Sequence, residues 1–153
     1  MYQRILVPID GSDTSKLGLE ESIRLAKSTG GRLRLIHVID DLSLALAMDA
    51  YSGHAGDWLN VLRADGARIL QEAADIALKA GVMFDTKLKE QFKGTVYELV
   101  LAEAQGWPAD LIVLGTHGRR GLGRVVLGSS AESILRNSPI PVLLIRSPQR
   151  MTA

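Results

Sequence analysis

The chain has 153 residues, a formal net charge of +1, 46% hydrophobic and 23% charged residues, and no cysteine. That length and balance predict one globular domain over residues 1–153, burying roughly 70% of the surface its unfolded form would expose. The charge is too small to call for a nucleic-acid or membrane partner, and the missing cysteines exclude a disulfide scaffold, thiolate zinc sites and thiol catalysis.

In chain order, the first apolar run, residues 4–9, predicts a strand; it is far too short for a signal peptide, and Pro8 and Asp10 end it, so a cytoplasmic protein is expected. Asp10-Gly11-Ser12-Asp13 is a turn, and Ser12 or Asp13 can cap the helix that follows, whose apolar face is Leu19, Ile23 and Ala26. Gly30-Gly31 stops that helix. Leu33, Leu35, Ile36, Val38 and Ile39 make a second strand, nearly continuous in apolar character, as strands buried on both faces are. Residues 40–57 show no clean period and read as a long loop, with a short helical turn around residues 42–48; connections of that length often serve as lids or partner surfaces.

A long helix over residues 58–80 carries Leu59, Leu62, Leu70, Ala73 and Ala77 largely on one side and stops at Gly81. Phe84, Thr86 and Leu88 alternate with Asp85, Lys87 and Lys89, the pattern of a half-exposed strand near a sheet edge. Gly94-Thr95 opens a helix over residues 96–105, residues 111–114 form a short apolar strand, and residues 130–137 a short helix. Pro139 and Pro141 bracket the entry to a last strand, Val142–Ile145. Strands alternating with helices predict an α/β fold: an open parallel five-stranded sheet with helices on both faces and right-handed connections. No apolar stretch approaches the length needed to cross a bilayer.

In such a sheet ligands sit beyond the carboxyl ends of the strands, where the strand order switches. The segment after the fourth strand, residues 115–130, holds five glycines, three arginines and one histidine, and it opens a helix. Glycines let backbone N–H groups approach an anion, the helix start presents unpaired N–H groups, Ser129 and Ser130 add hydroxyls, and Arg119, Arg120 and Arg124 can grip phosphate in bidentate fashion. The alternative is a surface loop with solvated arginines. A Walker-type loop is excluded because the segment has no lysine. The dinucleotide fingerprint is excluded because Gly121-x-Gly123 is followed by Val126.

Gly115-x2-Gly118-x9-Gly128-Ser129 resembles the nucleotide-binding signature of the universal stress protein family, G-x2-G-x9-G-[S/T]. Ile5-Leu6-Val7-Pro8-Ile9-Asp10-Gly11-Ser12 resembles that family's opening strand, His37-Val38-Ile39 the end of its second, and Ser138-Pro139-Ile140-Pro141-Val142-Leu143-Leu144-Ile145 its closing strand. The resemblance implies a Rossmann-like sheet of the adenine nucleotide alpha hydrolase type, in strand order 3-2-1-4-5. It also implies ATP or AMP across the carboxyl edge, with Mg²⁺ as a possible companion. Gly115, Gly118, Gly128, Ser129 and Ser130 would then hold ribose and phosphates, with Thr116, His117 and Arg119 counted among the contacts of the same segment. Pro8, Ile9 and Asp10 would line the adenosine side. Asp10 is either a ribose hydroxyl acceptor or a partner of Mg²⁺ through water; its alternative role is an ordinary helix-entry turn residue. Val38 would meet adenine through backbone groups and apolar packing, which is compatible with a place in the sheet core. The apolar strand Val142–Ile145 lacks the charges that blunt an exposed edge, and the family pairs this strand across a two-fold axis, so a homodimer is expected.

The histidines carry less. His117 either reaches a phosphate or is an exposed turn residue, His37 reads as a hydrogen-bonded core or rim residue, and His54 has no evident partner; no two have metal-ligand spacing. Two functions compete: a stress-associated module whose state depends on bound nucleotide, and a slow Mg²⁺-dependent ATPase or autophosphorylating protein using the same loop. No nucleophile and base are spaced as a pair, which favours the module. A phosphoacceptor receiver domain shares the alternating pattern, but its aspartate after the third strand is missing: Glu90-Gln91-Phe92-Lys93 stands there.

Overall fold

A computed structural model of the chain describes residues 1–50, 57–90, 94–116 and 127–148. The elements are β1 (Arg4–Pro8), α1 (Asp13–Thr29), β2 (Arg32–Ile39), α2 (Asp41–Ala50), α3 (Asp57–Ala80), β3 (Met83–Glu90), α4 (Val96–Gly106), β4 (Leu111–Gly115), α5 (Ser129–Asn137) and β5 (Val142–Ile145). The five strands are parallel in the order β3-β2-β1-β4-β5. β3, with its alternating charges, is indeed at an edge.

Strand alternation divides the core. Ile5, Val7, Ile9, Leu33, Leu35, Leu111 and Val113 face α1 and α3, where they meet Leu19, Ile23, Ile69 and Ala73. Leu6, Ile36, Ile112 and Leu114 face α4 and α5 and meet Val100, Ala104, Ala131 and Ile134. Both faces of the central strands are covered, which is why they read as continuous apolar runs. α1 starts where expected: Ser12 is its N-cap and its side chain accepts from the Ser15 N–H at 3.2 Å. It ends at Gly30, in the left-handed conformation at φ 72°.

Residues 40–57 depart from the loop expectation, because α2 occupies ten of them, Asp41–Ala50. Leu44, Ala45 and Leu46 are good helix formers arranged without one polar face, so a test for amphipathic period passes over them.

One polar cluster ties three elements together. Arg34 of β2 donates to both carboxylate oxygens of Asp85 on β3, at 2.7 Å each, and to Glu103 of α4 at 2.8 Å. Lys89 reaches the other Glu103 oxygen at 3.0 Å, and the Arg34 guanidinium lies 4.7 Å from the Trp107 ring centroid. Burial pushes the Glu103 carboxyl up, but hydrogen bonds from Lys89 and Arg34 outweigh it and hold it below the ordinary glutamate range.

Candidate functional site

The strand order switches between β1 and β4, the neighbours whose connections run outward in opposite directions. Their pairing covers only Ile5↔Leu111 and Leu6↔Ile112, whereas β1 pairs with β2 from Arg4 through Pro8. Proline explains the asymmetry. The Ile9 N–H donates to the Ile36 carbonyl of β2, and the Arg4 carbonyl accepts from Asp110 at the start of β4. Odd-numbered residues of β1 therefore turn their backbone groups toward β2 and even-numbered ones toward β4. Pro8 is even-numbered and has no N–H, so the β1–β4 ladder loses a rung at its carboxyl end. That is where an open parallel sheet of this order leaves a crevice.

Pro8 and Val38 are half-buried, and alternation places them on the α4/α5 face with Leu6 and Ile36. The Ile9 side chain goes the other way and is buried against α1 and α3. Any role for Ile9 at the site runs through its backbone, and both groups are engaged: the N–H with Ile36, and the carbonyl with His37 Nδ1 at 2.7 Å. Asp10 follows in a tight turn, its Oδ1 accepting from the Ser12 N–H at 2.9 Å while Gly11 adopts φ 82°. A hollow of about 20 Å³ on the α1/α3 side, lined by Ile9, Leu19, Ile69 and Ala73, has room for one water and none for a nucleotide.

Across the crevice, Gly115 ends β4. A Cβ at this position would lie 2.6 Å from the Thr14 carbonyl carbon and 2.7 Å from its Oγ1, so this glycine lets the first turn of α1 press onto β4. Its counterpart Thr116 is 6% exposed, and among the described residues its Oγ1 is the buried side-chain polar atom without a hydrogen-bond partner. The Thr116 N–H continues the ladder to the Ile145 carbonyl at 3.0 Å, and its carbonyl accepts from the Gly128 N–H at 2.8 Å. The two ends of the glycine-rich segment are thus joined. His117, Gly118 and Arg119, with Arg120 and Arg124, lie outside the described residues, as does His54.

Gly128 is the N-cap of α5 and brings no side chain to its first N–H groups; among the described residues α5 has no side-chain cap. By contrast, α1 has its Ser12 cap and α4 a Thr95–Glu98 capping box, in which Glu98 accepts from the Thr95 N–H at 2.8 Å. Ser129 and Ser130 are exposed in the first turn of α5. A helix start with a glycine N-cap and two hydroxyls in its first turn is suited to an anion. The glycine spacing pointed to this end of the sheet. Neither the Gly115–Thr14 contact nor the His37–Ile9 bond has a local sequence signal, since each joins residues far apart in the chain.

The universal stress protein family model matches residues 1–146. Universal stress protein MJ0531 of Methanocaldococcus jannaschii is 32% identical, over 98% of this chain and 85% of its own. Universal stress protein YxiE of Bacillus subtilis is 30% identical, over 95% of this chain and 100% of its own. Among solved structures, a universal stress protein family member from Burkholderia pseudomallei has a TM-score of 0.76 at 30% identity, covering 95% of this chain and 97% of its own. Two more share the fold at lower identity. One is a universal stress protein in complex with cAMP, with a TM-score of 0.66 at 23% identity, covering 96% of this chain and 98% of its own. The other is the Archaeoglobus fulgidus protein in complex with dAMP, with a TM-score of 0.68 at 21% identity, covering 94% of this chain and 98% of its own. With the family matched over nearly all of its length and two relatives at 30% identity or more, the chain belongs to the universal stress protein family.

Proposed function

We propose that this protein is a regulatory binding module that takes ATP or AMP in the crevice between β1 and β4. The observation that carries the reading is the Thr116 hydroxyl. A buried hydroxyl left without a partner costs about 1–3 kcal/mol, and this one, unpartnered among the described residues, stands at the joined ends of the glycine-rich segment, near the start of α5. A ligand phosphate or ribose oxygen would give it the missing partner. That two proteins of this fold hold cAMP and dAMP supports an adenine nucleotide as the ligand. Among the described residues no three His, Asp or Glu side chains gather into a metal site, so Mg²⁺ would arrive on the phosphates and meet Asp10 through water.

Thr116→Val tests this with two opposed signs. The variant keeps the shape and loses the unpaired hydroxyl, so the ligand-free protein should gain about 1 kcal/mol in urea unfolding. Its affinity for ATP or AMP by calorimetry should fall about tenfold, the equivalent of roughly 1.4 kcal/mol. Unchanged affinity would remove the site from this position. A mass spectrum of the small molecule released on denaturing the purified protein identifies the nucleotide.

A homodimer through β5 completes the proposal. β5 pairs with β4 on one side, and its four residues Val142–Ile145 are all half-buried. An unprotected apolar edge of this kind favours pairing with a second copy. Sedimentation at micromolar concentration should give a dimer; a clean monomer would refute it. Among the described residues no helix is long and apolar enough to cross a membrane.

A further inference from the structure

We propose that His37 is a positioning residue for the nucleotide site, holding the Ile9–Asp10 peptide in the one orientation that presents Asp10 to the ligand. This deepens the nucleotide reading above and rests on it.

The backbone ladder between β1 and β2 ends with Pro8↔Ile36 and the Ile9 N–H bond to Ile36. One step further, the His37 imidazole adds a side-chain rung: Nδ1 lies 2.7 Å from the Ile9 carbonyl. A carbonyl only accepts, so Nδ1 carries the proton. That carbonyl and the Asp10 N–H belong to the same planar unit, and the N–H points to Ser15 Oγ at 3.4 Å, a long contact. Of these two contacts with that plane, the one from His37 is the shorter and stronger. Rotating the plane changes φ of Asp10 and swings its side chain. The same rung fixes the spacing of β1 and β2 beside Val38, the candidate adenine contact.

The ring is itself held. His37 is 9% exposed. A Cβ built on Gly66 of α3 would come within 2.9 Å of His37 Cδ2 and of Leu88 Cδ1, so α3 closes directly over the imidazole. A ring confined in this way can aim its donor with little freedom.

The test compares His37→Leu, which removes the donor, with His37→Asn, whose amide nitrogen can occupy the place of Nδ1. Calorimetry with ATP and AMP is done at a temperature where urea curves show both variants folded. His37→Leu should bind at least tenfold more weakly than the unmodified protein, and His37→Asn within about threefold of it, although both lose stability. Equal binding by all three, or equal loss in both variants, would overturn the proposal. The unmodified protein supplies a measurement that does not depend on a variant folding: nitrogen-15 spectra should show His37 protonated at Nδ1 and shifting when ATP is added, and an unprotonated Nδ1 would overturn it. If the unmodified protein binds neither nucleotide, the functional reading fails. The Asp10 and Ser12 amide shifts in the ligand-free variants then still decide whether His37 sets the turn.

Discussion

Gly115→Val is expected to lower the melting temperature of the ligand-free protein by about 10 °C. A Cβ at position 115 would meet the Thr14 carbonyl carbon at 2.6 Å, its Oγ1 at 2.7 Å and its Cβ at 2.8 Å. None of these is the loose end of a flexible side chain. Thr14 is buried in the first turn of α1, behind the Ser12 cap, and Leu19, Ile23 and Ala26 fix the rest of that helix in the core. The added side chain has to lift the helix start or bend the end of β4. Overpacking of this kind costs about 1–3 kcal/mol, and backbone atoms in the way put it at the upper end. For a chain of this size each kcal/mol shifts the midpoint by about 2–4 °C. Calorimetric scans without nucleotide check the prediction. An unchanged midpoint would mean that α1 does not rest on Gly115 and would leave ligand approach as the sole reason for the glycine.

The second large effect is expected at Arg34. Arg34→Ala should cost about 3 kcal/mol in urea unfolding at neutral pH, the lower end of the range for removing one member of a buried pair. The lower end applies because Arg34 is 18% exposed and Glu103, itself 8% exposed, keeps Lys89. The loss includes the stem packing and the Trp107 contact. Arg34→Met with Glu103→Leu, which removes charge from both sides, should recover part of it. The cost also depends on pH. Glu103 is held below its ordinary value of 4.5 in the folded protein, so its ionised form contributes stability that is fully present above that pH and is lost as the pH falls through the lowered value. Without Arg34 the burial of Glu103 is offset less, and its carboxyl moves up. The gap between variant and parent should therefore shrink on acidification below about pH 4.5. A constant gap down to pH 3 would show that Arg34 acts by packing alone.

Periodicity and punctuation made the five strands and four of the helices legible. Ser12, Gly30 and Gly81 stand where α1 and α3 start or stop, and the alternation from Phe84 to Lys89 marked β3 as an edge. α2 was legible only as a short helical turn around residues 42–48, because its apolar residues give no single face and helix propensity was the signal that remained. The Arg34 cluster was invisible for a different reason: one arginine in an apolar run says nothing until β2, β3 and α4 are brought together. Gly115 was legible as a glycine of the nucleotide signature, but its contact with Thr14 is long-range and has no local mark. Asp10, Val38, Thr116 and Gly128 fall at strand or helix ends around the carboxyl edge. Ile9 is the exception among side chains, since strand parity turns it into the opposite core.

For the proposed nucleotide site, Pro8 bears on the rate at which a ligand would be taken up. Because the missing N–H keeps the β1–β4 ladder short, the crevice is set when the chain folds and does not have to be unzipped for each encounter. Association at that edge then has no strand-opening step to wait for, and its speed is governed by diffusion and by the aim of the docking patch, in the ordinary range of about 10⁵–10⁷ M⁻¹s⁻¹. A nucleotide level that rises or falls in the surroundings would be read at that pace, and residence time would be set by how firmly the site holds on.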